Sequence, residues 1–181
     1  MSAHLPRIRV LHLFSNSKWT GPAEPALGLC VALRGIGVEA DFACAPDAGN
    51  SVNMVVETAR ARGIDPILDL HLRKHRHPFW NLVDSRRLDA LLGTGRYDLV
   101  HCHLDNDHEI ASAPARRRGI PLVRSSYEGT GLAPTRRHRS LLEATALLVE
   151  PSEIARVCDR AHFALPDARI RVVQGAVDVV R

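Results

Sequence analysis

The feature that most limits how this chain can fold is an alternation that repeats along its length. Short apolar runs at residues 8–14 (IRVLHLF), 39–45 (EADFACA), 66–70 (PILDL), 121–125 (PLVRS), 145–149 (TALLV) and 170–173 (IRVV) alternate with longer stretches of helical periodicity. Another lies within residues 97–109 (YDLVHCHLDNDHE). Apolar strands separated by helix-length segments cannot pair as hairpins, and they read as a parallel sheet covered on both faces. The expected class is therefore α/β.

The helical stretches carry their own start and stop signals. One helix is expected from Pro22, with Glu24 in its first turn and Gly35 and Gly37 at its end. In the next, capped by Asn50 or Ser51, Val52, Val55, Val56 and Ala59 fall at i, i+3, i+4 and i+7, before Gly63. Further helices carry Leu88, Leu91 and Leu92, span residues 107–118 and 136–143, and follow a Ser152 cap. Pro114 is expected to kink or shorten the helix that contains it.

At 181 residues and 45% hydrophobic composition, the chain reads as one domain. Its net charge of +4 favours anionic small molecules or an anionic membrane surface. With 4% aromatics and no dense Lys/Arg patch, no nucleic-acid partner is expected. Cys30, Cys44, Cys102 and Cys158 form no C-x-x-C pair and lie in apolar settings, which predicts buried free thiols in a reducing compartment. With neither a secretory h-region nor a membrane-spanning run in the sequence, the expected location is cytoplasmic, with peripheral contact at the inner membrane face.

The chemistry-bearing residues concentrate where residues 97–109 turn from apolar to titratable. Such a change marks the C-terminal end of a buried parallel strand, the rim where open α/β sheets bind ligands. His101, His103, Asp105, Asp107 and His108 all fall there, and strand alternation puts His101 and His103 on one side with Cys102 on the other. The H-x-H-x-D spacing resembles metallo-β-lactamase-type hydrolases, with the next histidine displaced to position 108. On that reading, His101, His103 and Asp105 bind a metal. Otherwise the segment is a polar rim, or an imidazole donates to a substrate hydroxyl or phosphate.

Around this rim, Gly21 and Pro22 sit in a strand-to-helix loop that matches neither a dinucleotide fingerprint nor a phosphate-binding P-loop. Tyr127 and Glu128 follow a strand and belong to the same rim. His71, His75 and His77 lie among Arg73, Lys74 and Arg76 and read as a solvated basic loop. Arg136, Arg137 and Arg139, around His138, form a second basic run that is either solvated or faces lipid headgroups or a phosphorylated acceptor.

Taken in order, these segments resemble the N-terminal domain of a GT-B-fold retaining glycosyltransferase of the large group 1 family. IRVLHLF followed by GPAEPALGLCVALRGIGVEADFACA is similar to the family's opening strand, glycine-rich loop, first helix and second strand. YDLVHCHLDN resembles D-V-V-H-x-H, RRRGIPLVRSSYEG resembles R-x-x-G-I-P-L-V, ATALLVEPSEIARV resembles A-D-x-V-x-x-x-S-E-x-x-R, and IRVVQGAVD resembles I-x-V-I-P-N-G-V-D. The fold this implies is a Rossmann-like parallel sheet with helices on both faces, one half of a GT-B fold.

The resemblance implies transfer of a sugar, with retention, from a nucleotide-sugar donor to a glycan, lipid or small-molecule acceptor, without a metal cofactor. Gly21 matches the glycine whose loop approaches the donor diphosphate, and Pro22 replaces the second glycine of that pair. His103 matches the histidine near the reaction centre and is the expected catalytic residue. His101, Asp105, Tyr127, Glu128, Arg136, Arg137 and Arg139 complete the expected substrate-binding set. Tyr127 stands where histidine is common, and Gly175-Ala176 stands where Asn-Gly is common. The C-terminal donor-binding domain would begin after Asp178, so residues 1–181 read as the acceptor-side domain, not competent alone, either cut short or a natural single-domain relative. Two further functions remain open: a metal-dependent hydrolase built on His101, His103 and Asp105, and a non-catalytic module for sugar phosphate or membrane surface.

Overall fold

A computed structural model of the chain describes residues 8–46 and 52–175. The alternation appears there as β1 (Arg9–Phe14), α1 (Ala23–Gly35), β2 (Glu39–Cys44), α2 (Met54–Ala61), α3 (Pro78–Leu92), β3 (Leu99–Cys102), α4 (Asp105–Arg118), β4 (Leu122–Ser125), α5 (Arg136–Glu143), β5 (Leu147–Glu150), α6 (Glu153–Phe163) and β6 (Ile170–Val172). The strands form one sheet in the order β2-β1-β3-β4-β5-β6, and every neighbouring pair is parallel. The chain leaves β1 toward β2 and then returns to the other side of β1 as β3. The order therefore reverses between β1 and β3, and the crevice at such a reversal is the usual ligand position in open α/β sheets.

Strand alternation sorts the side chains into two layers. Leu11 and Leu13 of β1 and Val100 and Cys102 of β3 pack with Leu88 and Leu92 of α3 and Ile110, Ala111 and Ala115 of α4. Phe14, on the opposite face, packs with Ala26, Leu27 and Cys30 of α1, Phe42 of β2 and Val55 and Ala59 of α2. A third cluster joins Leu142 of α5, Leu148 of β5, Phe163 of α6 and Ile170 of β6. Helices thus cover both faces, as the alternation predicts. Among the described residues, no helix is long and apolar enough to cross a membrane.

Several elements differ from the sequence reading. The strand expected at residues 66–70 shrinks to a one-residue bridge, in which Ile67 N–H donates to the Phe42 carbonyl at 2.8 Å and Cys44 N–H donates to Ile67 at 3.3 Å. Pro66 has no amide to extend the ladder, and the chain then turns to bury Leu70 and Leu72 beneath α3. The caps proposed at Asn50 and Ser51 lie outside the described residues. Asn53 caps α2, its side chain accepting from Val56 N–H. Helix α4 starts two residues early because Asp107 accepts the Leu104 N–H at 2.9 Å. Pro114 does not shorten it: α4 continues to Arg118, and the buried face through Ile110, Ala111 and Ala115 outweighs one missing amide. All four cysteines are free, but Cys158 is only half-buried. Burial pushes the Cys30 thiol up to about 11 and Cys44 to about 12, so both stay protonated at neutral pH.

One packing detail fixes the loop after β4. Leu132 N–H donates to Asp159 Oδ1 of α6 at 2.8 Å, and Gly131 sits at φ +86° beside it. A Cβ on Gly131 would lie 2.3 Å from Asp159 Oδ1. Gly131→Ala is expected to cost about 2 kcal/mol or more in urea unfolding. Gly129→Ala, where a Cβ meets open space, should change stability by less than about 0.5 kcal/mol.

Candidate active site

The reversal point of the sheet carries three imidazoles. The β1–β3 register pairs His12 with His101, and alternation places His103 on the same face, toward α1 and away from Cys102. The rings stack: His101 and His103 have centroids 4.3 Å apart, and His12 lies 5.1 Å and 5.3 Å from them. His12 Nδ1 is 3.0 Å from His103 Nε2, His103 Nδ1 is 2.7 Å from the Tyr127 hydroxyl, and His101 Nε2 is 2.8 Å from Ser125 Oγ. His103 is 1% exposed and has both nitrogens engaged. Tyr127, half-buried, is the most exposed member of this chain.

Electrostatics keep the imidazoles neutral. Burial lowers His12 to about 4 and takes His101 and His103 well below the ordinary histidine value; for these two, neighbouring imidazoles and the Arg124 guanidinium add to the effect. Arg124 comes from β4, is 4% exposed and donates Nη2 to Asp105 Oδ1 at 2.8 Å. Asp105, the first residue of α4, also faces His138 Nε2 at 3.3 Å, while His138 Nδ1 lies 2.7 Å from the Ala133 carbonyl. The His138 hydrogen bond holds Asp105 down at about 2, with Arg124 assisting against burial, and Asp105 in turn raises His138. Burial dominates at Asp107, pushed up to about 7 even though it accepts from the Ser15 and Leu104 amides. Burial likewise raises Tyr127, which stays a neutral phenol.

Proton positions follow from the unpaired atom. His12 Nε2 is buried without a protein partner. A buried N–H lacking an acceptor is the costlier orphan, so we assign the proton of His12 to Nδ1, donating to His103 Nε2. His103 Nδ1–H then donates to the Tyr127 oxygen, and the Tyr127 hydroxyl hydrogen is left without an acceptor among the described residues. The chain of three groups thus ends in an uncommitted hydrogen-bond donor.

The remaining sequence candidates distribute unevenly. His101 is turned to Ser125, and Asp105 to Arg124 and His138, so the structure does not bring Asp105 together with the imidazoles as the metal reading requires. Among the described residues, the metal-ligand atoms that lie within 4.8 Å of one another belong to His12, His101 and His103. An ion held there would replace the His12–His103 hydrogen bond. His108 faces Thr145 at 2.8 Å, away from the cluster. Gly21 is exposed, with open space where a side chain would be. Pro22 and Pro25 supply no amide to the N-terminus of α1, and Ala23 N–H is spent on the Thr20 carbonyl. Glu24 is tied to Arg62 at 2.8 Å. Glu128 is exposed beside Tyr127.

The basic run splits because consecutive helical positions face different ways. Arg137 turns to the rim, bonded to the Asp105 carbonyl and to Glu109, whereas Arg139 reaches the His162 carbonyl of α6 and Arg136 is exposed. Sequence reasoning missed His12 and Arg124. A histidine inside an otherwise apolar opening strand, two positions before its end, was the available signal for His12.

The model of the glycosyl transferase 4-like domain matches residues 20–175. The chain belongs to that family. Among solved structures, this glycosyl transferase 4-like domain is similar to a glycosyltransferase from Rickettsia africae (TM-score 0.74, 11% identity, 96% of this chain and 44% of that one). It is also similar to Anabaena HepE in complex with UDP and glucose (0.71, 11%, 94% and 45%). A third is the UDP-GlcNAc 2-epimerase from Neisseria meningitidis bound to UDP-GlcNAc (0.70, 16%, 91% and 45%). No curated protein matches by sequence. At these identities the likeness is one of fold: a Rossmann-like half of the GT-B architecture. The chain spans less than half the length of each of these structures.

The buried charges make stability depend on pH. His12, His101, His103 and His108 (the last lowered to about 3 by burial) stay neutral in the folded chain, whereas the unfolded chain protonates them as pH falls through 6.5. Each therefore removes stability on acidification. Asp107 and Glu150, raised to about 7 and about 9 by burial, act oppositely: they cost stability as pH rises through the unfolded carboxylate range to those values. Asp159 and His138, also raised, act on the same side as these two carboxyls, so the groups nearly balance and a single substitution isolates the imidazole contribution. Against the parent chain, His108→Gln should gain urea-unfolding free energy as pH falls from 6.5 to 4.5, by about one proton's worth, or about 1.4 kcal/mol per pH unit.

Proposed function

We propose that this domain is the acceptor-side half of a retaining glycosyltransferase that moves a hexosyl group from a nucleotide sugar to a glycan, lipid or small-molecule acceptor. The observation that carries the reading is the His12–His103–Tyr127 chain at the reversal point of the sheet, ending in a half-buried phenol whose own hydrogen is uncommitted. Tyr127 meets the sugar or the acceptor hydroxyl. His103 is the positioning residue behind it, and His12 fixes the proton of His103. His101 and Asp105 serve the same end indirectly, since their polar atoms are held by Ser125 and by Arg124 with His138. Glu128 and Arg136, both exposed on the rim, are left to meet the acceptor.

The open space at Gly21 suits the donor diphosphate, and the Glu24–Arg62 pair draws a carboxylate away from that path. A partner domain supplies the other wall of the cleft, and closure brings donor and acceptor together, so the half alone does not turn over. The reaction is placed in the cytoplasm. It requires no metal, because hydrogen-bond donors and cations offset the charge of the leaving diphosphate.

In the full-length enzyme, Tyr127→Phe and His103→Gln should each lower kcat about a hundredfold while leaving donor KM within about threefold. Because the two act as one unit, the double variant should be no worse than the poorer single one. Multiplied losses, or unchanged kcat in either single variant, would remove the pair from the mechanism. The anomeric configuration of the first-formed product, read by proton NMR, decides retention.

A further inference from the structure

The basic loop at residues 71–77 is exposed, yet it is built like a binding site. Asp84 of α3, 1% exposed, accepts from the His71 amide, the Leu72 amide and His71 Nδ1, all at 2.9 Å. Asn106 of α4 donates to the Arg73 carbonyl at 2.7 Å and exchanges hydrogen bonds with Asn81, which also accepts from His77 N–H at 3.4 Å. Leu72 is fully buried at φ +40°, a conformation a non-glycine residue holds only under constraint. Three buried polar side chains and a strained residue therefore fix a loop whose own side chains face solvent. A merely solvated loop needs none of this.

What the loop holds is positive charge around a hollow. A cavity of about 350 Å³ lies between it and the segment after β1, lined by Asn16 and Ser17 on one side and by Arg73, Lys74, Arg76 and His77 on the other. Arg76 bonds Glu109 at 2.7 Å, but Glu109 is shared with Arg137. Arg73 lies over the Trp80 ring at 5.5 Å, which leaves its guanidinium edge available. Lys74 has no carboxylate partner among the described interactions. The volume suits a small ligand group, and the charge excess suits a dianion.

We propose that this cavity binds a phosphoryl group carried by the acceptor. The word acceptor rests on the transferase reading; binding of phosphate at Arg73 and Lys74 does not. The isolated chain is titrated with inorganic phosphate and with glucose 1-phosphate at matched ionic strength, read by isothermal titration calorimetry. In parallel it is sedimented with phosphatidylcholine vesicles with and without phosphatidic acid. Arg73→Ala/Lys74→Ala and, as a control cation outside the site, Arg116→Ala, all at exposed positions, are run beside it.

Saturable binding of the soluble phosphates, weakened about tenfold or more in Arg73→Ala/Lys74→Ala and unchanged in Arg116→Ala, supports the site for a free acceptor. The same variant pattern seen only with phosphatidic acid vesicles supports it for a lipid-borne one. Binding to neither probe, or binding that Arg73→Ala/Lys74→Ala leaves intact, overturns the proposal even if the full-length enzyme transfers sugar. Phosphate binding in a full-length protein with no transferase activity would sink the transferase reading and leave the site standing.

Discussion

The parallel pairing of β1 with β3 is the constraint on which the rest of the site depends. Its register, Val10 with Leu99 through Leu13 with Cys102, aligns two alternating patterns so that Leu11, Leu13, Val100 and Cys102 share one face and His12, His101 and His103 the other. A slip of one residue would drive the imidazoles into the layer filled by Leu88 and Ile110 and expose the aliphatic set. Because apolar burial sets the register, the same hydrophobic term that stabilises the sheet also stacks the rings at its rim.

Charge is handled differently on the two sides of this rim. Toward α1 the groups are uncharged: three imidazoles and a phenol, linked by hydrogen bonds. On the α4 side lie charged groups, with Arg124 held against Asp105, Asp105 against His138, and Arg137 against Glu109. The Arg124 cation adds to burial in keeping the nearby imidazoles neutral, and it helps hold Asp105 ionised. A neutral relay beside a fixed cation is suited to orienting a polar substrate. It does not require either histidine to change protonation state.

Much of this was legible in the sequence. Apolar runs and helical spacing located the sheet strands and the helices, because the central strands β1 and β3 are buried on both faces and helices such as α1 and α2 bury an apolar side. The abrupt change at residues 101–108 located the rim. Where reading failed, non-local contacts had decided the outcome. Residues 66–70 look like a strand, but Pro66 and the pull of Leu70 and Leu72 toward α3 reduce it to a bridge. His12 reads as one polar residue in an apolar run until β3 is laid beside it. Arg124, inside PLVRS, gives no sign of burial until Asp105 arrives from the next layer. Residues 71–77 look like ordinary solvated charge because the Asn81 and Asp84 that hold them are polar residues of the next helix, and Asn106 comes from α4.

The clamp between the Tyr127 loop and α6 sets how far this domain can be rearranged by exchange of parts. Asp159 reaches Leu132 across the loop, Gly131 leaves the room it needs, and Glu150 is a second buried carboxyl, raised by burial and by Asp159. A loop grafted from a relative at residues 126–134 would bring its own tip but not these anchors. An exchange that keeps this clamp has to run from the end of β4 through α6. The Tyr127 loop and the helix behind it move as one piece.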